Sequence, residues 1–421
     1  MKTNWCQIAI FALLIFFLFP FTPLRAQMNI DYITVSGVVK DKKTKKKLEY
    51  VSISVPGTNV GTITNVDGEF SIKIKDSLQT RGIDLSRIGY LNYHLSLSGK
   101  DQPDVTVYLT ANDKALSEVV IEQADVYQIV ESAISKIETN YSDKANLLTG
   151  FYRETVKKGR GYINITEAII NIYKTPYKDD IAGDRVQIYK GRKLLSPKVS
   201  DTLIVKLIGG PTQSVSLDIV KSRDAVLFDM ETIRHFAYKD EGTIMIDERP
   251  HYVIGFTPRV ILPYALYEGR YYIDKQNLTL SRTEFNLDMS DRNKATQAVL
   301  IKKPPKLHFK PEEVSFEITY KQHNGRSYLN YIRNDIRFKC DWKKKFFFFS
   351  TNYEVVSEMV VTDRQEEDVA AISRKAAFKQ NQSLSDKVGN FSDEYFWEDY
   401  NIIEPTESLE SAVNKLKKKY E

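Results

Sequence analysis

The stretch VSGVVKDKKTKKKLEYVSISVPGTNVGTITNVDGEF, Val35 to Phe70, decides how the front of this chain folds. Apolar residues recur at every second place in short runs, Val51-Ile53-Val55 and then Phe70-Ile72-Ile74. That is the period of a strand with one buried face. Turn residues punctuate the runs at Pro56-Gly57 and Asp67-Gly68, and Asp67-Gly68 between Ile63 and Phe70 predicts a hairpin. Six lysines crowd Lys40 to Lys47. They read as a solvated hairpin tip in preference to a contact for an anionic surface. Further along, Leu91-Tyr93-Leu95-Leu97 and Val105-Val107-Leu109 continue the alternation, and strands at this spacing predict an antiparallel sandwich.

The order of Gly37-Val38-Val39, Tyr50-Val51-Ser52-Ile53, Pro56-Gly57-Thr58, Gly61-Thr62, Asn65 to Phe70 and Gly89-Tyr90 resembles the carboxypeptidase-regulatory-like domain. The resemblance implies a seven-stranded, transthyretin-like (prealbumin-like) β-sandwich of the kind found at the front of exported envelope proteins of Bacteroidota. It does not imply a peptidase. Zinc peptidases of that type need three protein ligands and an open position, supplied by a His-x-x-Glu pair and a distant His. None of the five histidines, His94, His235, His251, His308 and His323, has Glu three residues on.

Upstream of the sandwich, Lys2, the apolar run Ile8 to Phe21 and the small Ala26 have the three parts of a secretory signal peptide, with cleavage between Ala26 and Gln27. The run is broken by Pro20 and falls short of the roughly 20 residues a spanning helix needs. Removing the segment takes away Lys2 and Arg25 and lowers the net charge from +5 to +3, too balanced for a nucleic-acid partner. It also leaves Cys340 as the sole cysteine, so no internal disulfide is expected.

Downstream, Leu116 to Ile121 reads as a linker with a short strand. Val126, Ile129, Val130, Ala133, Ile134 and Ile137 fall at helical spacing behind the N-cap candidate Asp125. From Leu147 to about Val361 the pattern returns to aromatic-rich strands, in keeping with 25 Tyr and 21 Phe in 421 residues. Gly150 to Glu154, Glu167-Ala168 and Lys190 to Lys193 resemble a segment of uncharacterised exported proteins that carry the same sandwich. Tyr252 to Phe256, Glu268 to Asp274 and Leu280 to Phe285 are similar in cadence to periplasmic lipoprotein carriers, which wrap a curved sheet around an apolar cavity. Past Asp363 a helix is expected around Val369 to Phe378, then a docking stretch from Phe391 to Tyr400. A last helix after Thr406 has Leu409, Ala412, Val413 and Leu416 on one face and charges that suit its dipole.

Motifs for chemistry are missing. There is no Gly-x-Ser-x-Gly elbow and no phosphate loop, and Asn65-x-Asp67-Gly68 is only a fragment of a calcium loop, with isoleucine at both its first and twelfth positions. No catalytic, cofactor-binding or metal residue is nominated, and no cofactor is expected. One polar cluster stands out: Arg153, Glu154 and Glu167, on neighbouring strands, line a pocket or pair across a solvent face. Phe346 to Phe349 reads as a doubly buried strand in preference to a membrane-touching edge.

The expected fold is mainly β. It comprises a signal peptide (1–26), a β-sandwich (27–110), a linker with an amphipathic helix (111–146), a larger antiparallel β domain (147–362) that can close part-way as an open half-barrel, and a helical docking segment (363–421). The leading expectation is a non-enzymatic, exported protein of the periplasm or outer membrane with a binding or assembly role. Its partner is an envelope protein or an apolar ligand, with peripheral membrane contact allowed. The alternatives are an accessory subunit of an outer-membrane complex and an enzyme whose site is gathered from scattered residues.

Overall fold

The computed structural model describes residues 32–112, 125–201, 203, 205–222, 227–342, 350–391, 396–397 and 400–418. The signal segment with Ala26 and Gln27, the linker stretch Leu116 to Ile121 and Phe346 to Phe349 lie outside them.

Seven strands make the sandwich: β1 (Tyr32–Asp41), β2 (Ser52–Ser54), β3 (Gly61–Ile63), β4 (Glu69–Lys75), β5 (Gly82–Ser86), β6 (Tyr93–Ser96) and β7 (Gln102–Leu109). One sheet runs β4-β1-β7 and the other β3-β2-β5-β6. The period of two puts Val35, Val39, Phe70, Ile72 and Ile74 of the first sheet against Ile53, Ile83 and Leu85 of the second in one buried cluster. The lysine-rich tip is exposed from Lys42 to Lys47, closed by a bridge between Lys40 and Lys47.

The predicted hairpin at Asp67-Gly68 is corrected. The turn forms, with Gly68 at φ +70° and its N–H donating to the Asn65 carbonyl. Yet β3 pairs with β2 and β4 pairs with β1, so the turn carries the chain from one sheet to the other.

Asp125 caps α1 (Val126–Ser135), accepting from the N–H groups of Tyr127 and Gln128, and α2 (Ile137–Asn140) follows. The large sheet contains β8 (Asn146–Lys158), β9 (Gly161–Lys174), β10 (Arg185–Leu195), β12 (Phe236–Ile246), β13 (Arg249–Pro258), β14 (Tyr267–Asp274), β15 (Leu280–Leu287), β17 (Leu307–His323), β18 (Arg326–Trp342), β19 (Ser350–Gln365) and β20 (Gly389–Asn390). Two short strands, β11 (Lys206–Leu207) and β16 (Leu300–Lys302), pair apart from it. The order is β12-β13-β14-β15-β17-β18-β19-β8-β9-β10-β20, antiparallel throughout except at the β10–β20 edge. The first and last long strands, β8 and β19, therefore meet in the middle of the sheet.

The sheet curls. Val186 on β10 and Phe285 on β15 are six strand spacings apart, roughly 29 Å on a flat sheet. Both nevertheless border one cleft. The sheet does not close into a barrel: β12 remains an edge. Its concave face holds the main core, in which Tyr152, Ile170, Ile254, Phe256, Tyr271 and Ile332 surround α1 and α3 (Pro211–Ser216). A fourth helix, α4 (Arg292–Val299), covers the end near β17.

The convex face is covered too. Phe151, Ile169, Tyr331 and Val360 pack under Trp397 and Ile403 of the C-terminal stretch and Ile63 of the sandwich. The Phe151 and Trp397 rings meet edge to face at 5.7 Å. The last helix, α5 (Glu407–Lys417), begins at its cap Thr406 and buries Leu409 and Leu416 against Ile165 and Leu194. The helix expected around Val369 to Phe378 does not form: these residues run as irregular chain with one turn at 374–376, and Phe378 donates its backbone N–H to the Val186 carbonyl, which ties the segment to the sheet.

The opening stretch supplies much of the junction between the two units. Thr62 donates to the Ile402 carbonyl at 2.8 Å, and the Asn65 amide to Pro405 at 3.1 Å. Asp67 accepts the Glu407 N–H at 3.0 Å, and Asn59 and Arg364 bond reciprocally. The Asn65–Gly68 fragment that resembles part of a calcium loop thus spends its side chains on the C-terminal segment.

Candidate functional site

Alternation along β8 separates the cluster expected from the sequence. Arg153 and Glu167 point to the convex face and pair there, Nε to Oε1 at 2.9 Å, both 3% exposed. Glu154, one residue on, points to the concave face and accepts from the Tyr152 hydroxyl at 3.1 Å. The three residues do not form one pocket.

Arg153 and Glu167 belong instead to a row of charges that follows the register across the convex face. Arg270, Glu284, Glu317, Arg333, Glu358, Arg153, Glu167 and Arg192 occupy facing positions on β14, β15, β17, β18, β19, β8, β9 and β10. Arg333 meets Glu358 at 2.7 Å and Arg192 meets Glu167 at 2.9 Å. The one like-charge junction, Glu284 beside Glu317, is bridged by Arg282 at 3.3 and 2.8 Å. On β13 the row passes over Gly255, where a Cβ would lie 2.7 Å from the Glu241 carboxylate. The bare backbone there lets Glu241 reach Arg270 at 2.5 Å. Burial pushes the Glu167 carboxyl up, but the two guanidiniums beside it outweigh this and hold it below its usual range. Arg153 also donates to the Ile403 carbonyl at 2.8 Å, and the Arg192 guanidinium lies 4.1 Å over the Phe391 ring. This face is a clamp for the C-terminal segment.

The concave face carries the open volume. Segment 374–387 crosses the β10 edge, with Thr212 of α3 donating to the Phe378 carbonyl at 2.7 Å. A cleft of ≈ 620 Å³ opens on one side, lined by Val186, Val215, Leu217, Leu227, Phe285 and Phe378, with Asp180, Arg185, Arg374 and Lys379 among its polar residues. A second cleft of ≈ 730 Å³ lies toward the other end of α3, with Glu154, Val156, Ile163 and Val355 of the sheet facing Val205 and Leu207, and Leu384 opposite. Gln380 borders both. Volumes of this size suit small organic ligands.

A buried ion network stiffens the first cleft. Lys174 bonds Asp184 and Asp218 at 2.9 and 2.8 Å, Lys221 bonds Asp184 at 2.6 Å, and the Tyr177 and Tyr320 hydroxyls close on Asp218. Burial opposes ionisation of Asp184, yet Lys174 and Lys221 outweigh it and its carboxyl sits below the usual range. Every charge in the network is paired, as burial requires.

A third cleft of ≈ 330 Å³ separates the sandwich from the convex face, and His251 and Ser281 line it. The His251 Nδ1 sits 2.9 Å from the Arg249 carbonyl and its Nε2 2.8 Å from the Ser281 hydroxyl. Burial lowers the imidazole pKa, so the ring is neutral, donating to Arg249 and accepting from Ser281. Sequence reading missed this pair because its partners lie on β13 and β15. His94 pairs with Asp84 on the sandwich surface at 2.7 Å. Among the described residues no group of three or more His, Cys, Asp or Glu side chains is placed to hold a metal ion. Cys340 is a buried free thiol that burial pushes up to about 12.

No curated protein matches this chain. Solved structures are similar to this chain only at a low level, and three of them show that level. A Vibrio parahaemolyticus domain named for outer membrane lipoprotein sorting is 9% identical, over 58% of this chain and 94% of that one, with a TM-score of 0.28. A DUF1329 family protein from Desulfovibrio piger is 11% identical over 60% and 99%, TM-score 0.25. Lipovitellin is 9% identical over 61% and 28%, TM-score 0.22. Residues 35–121 match the family described as the CarboxypepD_reg-like domain, the assignment that the Val35–Phe70 stretch led to.

Proposed function

We propose that this is a non-enzymatic protein of the cell envelope, exported through its N-terminal segment to the periplasm or outer membrane of a Bacteroidota cell, whose larger β domain binds an apolar ligand. The observation that carries the reading is the ≈ 620 Å³ cleft beneath Phe378, walled by aliphatic and aromatic side chains from strands that meet only because the sheet curls. The sandwich holds the C-terminal segment in place and offers its outer surface to other envelope components. Among the described residues no helix is long and apolar enough to cross a membrane. The test is to extract the purified chain with organic solvent for mass spectrometry and to titrate the stripped protein with the apolar dye N-phenyl-1-naphthylamine. A co-extracted apolar compound or saturable dye binding is expected; absence of both would overturn the reading.

An enzymatic reading has one observation in its favour, the Ser281 hydroxyl poised on the neutral His251 imidazole. The Arg249 carbonyl stands where a triad would place a carboxylate, since Asp274 is bonded to Arg249 and to its own turn. Labelling of Ser281 by a fluorophosphonate would favour this reading, and an unreactive Ser281 would remove it.

A further inference from the structure

The second cleft contains an acid that the protein itself does not neutralise. Glu154 lies between Tyr152 and Val156 on the concave stripe of β8. Its carboxylate accepts one hydrogen bond, from the Tyr152 hydroxyl, and no lysine or arginine among the described residues pairs with it. Of the two lysines that line the cleft, Lys206 donates to the Asn381 carbonyl at 3.0 Å, and Lys387, exposed on the crossing segment, makes no ion pair with Glu154; Lys158 and Lys193 nearby go to Asp201 at 3.6 Å and to the Ser385 carbonyl. Glu167, on the adjacent strand and one residue along from the Thr166 that faces Glu154, points to the other face and is held by two guanidiniums, whereas the half-buried Glu154 has none. An unpaired carboxylate against apolar walls is costly unless a cation joins it.

We propose that the second cleft binds an amphiphile with a primary amine, its ammonium on the Glu154 carboxylate and its chain along Val156, Ile163, Val205 and Val355. The cleft's ≈ 730 Å³ accommodates such a molecule, and the polar residues Gln380, Asn381 and Ser383 of the crossing segment give it a wet mouth. Burial also raises the Glu154 carboxyl above its usual range, with the Tyr152 hydroxyl bond opposing, as expected of an acid awaiting a counter-charge. A simple alkylamine and an aminolipid share this chemistry. The inference rests on the concave face being a ligand site.

The test uses the mature full-length chain and calorimetric titration with decylamine, decanol and decanoate at pH 7.5. Decylamine should bind about tenfold or more tighter than decanoate, and Glu154→Gln should weaken decylamine by a similar factor while leaving decanol unchanged. Glutamine keeps the Tyr152 bond, and an unfolding temperature no lower than that of the unaltered chain certifies the fold. Competition with a phosphoethanolamine lipid presented in detergent then separates the two sources: displacement of decylamine by it points to an aminolipid, and failure to displace points to a small amine. Equal binding of decylamine and decanoate, or no effect of Glu154→Gln, overturns the inference and leaves the concave-face reading standing. Binding of none of the three, together with no dye binding, overturns both.

Discussion

Arg153 and Glu167 face one another across β8 and β9 in strict register, Nε 2.9 Å from Oε1, with both side chains almost wholly out of solvent. Arg153 simultaneously reaches the Ile403 carbonyl, so one side chain links the middle of the large sheet to the C-terminal segment. Removing it leaves the buried Glu167 carboxylate to Arg192 alone and takes one anchor from that segment. Arg153→Ala is expected to destabilise the large domain by about 2–3 kcal/mol. Thermal unfolding and proteolysis within residues 400–418 measure the two effects.

Acid should loosen both faces of the large sheet. Glu167 and Asp184 have folded pKa values below their unfolded ones, so their contributions are present above about pH 4 and are lost as pH falls through the depressed folded values. Glu154 has the opposite sign: its folded pKa is raised, and it costs stability as pH rises from about 4 through the folded value. Glu154→Gln should therefore raise the Tm at pH 7.5 in the absence of ligand and leave it unchanged at pH 4. A gain at both pH values would mean that something other than charge is responsible.

Leu217 borders the first cleft without being fully buried. Leu217→Trp should fill the volume with little strain in the core, lowering dye affinity at least about tenfold with Tm shifted by only a few degrees. Decylamine binding in the second cleft should be unaffected.

At Gly68 a Cβ would stand 2.8 Å from the Val39 carbonyl, at φ +70°. Gly68→Val is expected to cost about 1–3 kcal/mol and to raise hydrogen exchange across residues 32–109 ahead of the large sheet. It should also loosen α5, because Asp67 beside it holds the Glu407 N–H.

The Cys340 thiol, pushed up to about 12 by burial, should resist iodoacetamide in the native protein at pH 8 and react fully in urea. Mass spectrometry of the alkylated chain reads this directly.

The sandwich was legible because its signals are local. Period-two apolar runs and turn residues specify strands whatever they pair with. The same locality produced the hairpin error: Asn65-Val66-Asp67-Gly68 makes its turn identically whether the next strand returns to its neighbour or crosses to the other sheet. Arg153 and Glu167 could be singled out as charges in aromatic strands, but their partners on β19 and β10 depend on a register that one strand's sequence does not encode. Glu154 adjoins Arg153 in the sequence, yet adjacent strand residues face opposite ways, and that alternation alone separates the two. The capped helices at Asp125 and Thr406 formed as their local sequences predict. The segment around Val369 to Phe378 did not, and the Phe378 N–H goes to a distant carbonyl on β10.

The row of charges has a consequence for how the sheet assembles. A slip of one residue turns a strand inside out, and the apolar pattern forbids it. A slip of two keeps every face correct and would pass that check. Moving β18 by two against β17 would bring Glu317 opposite Asp335 or Tyr331 in place of Arg333. Against β19 it would leave Glu358 without Arg333. Each strand from β14 to β10 carries one tooth of this comb, so a misaligned sheet announces its error as unneutralised charge in a place about to be sealed.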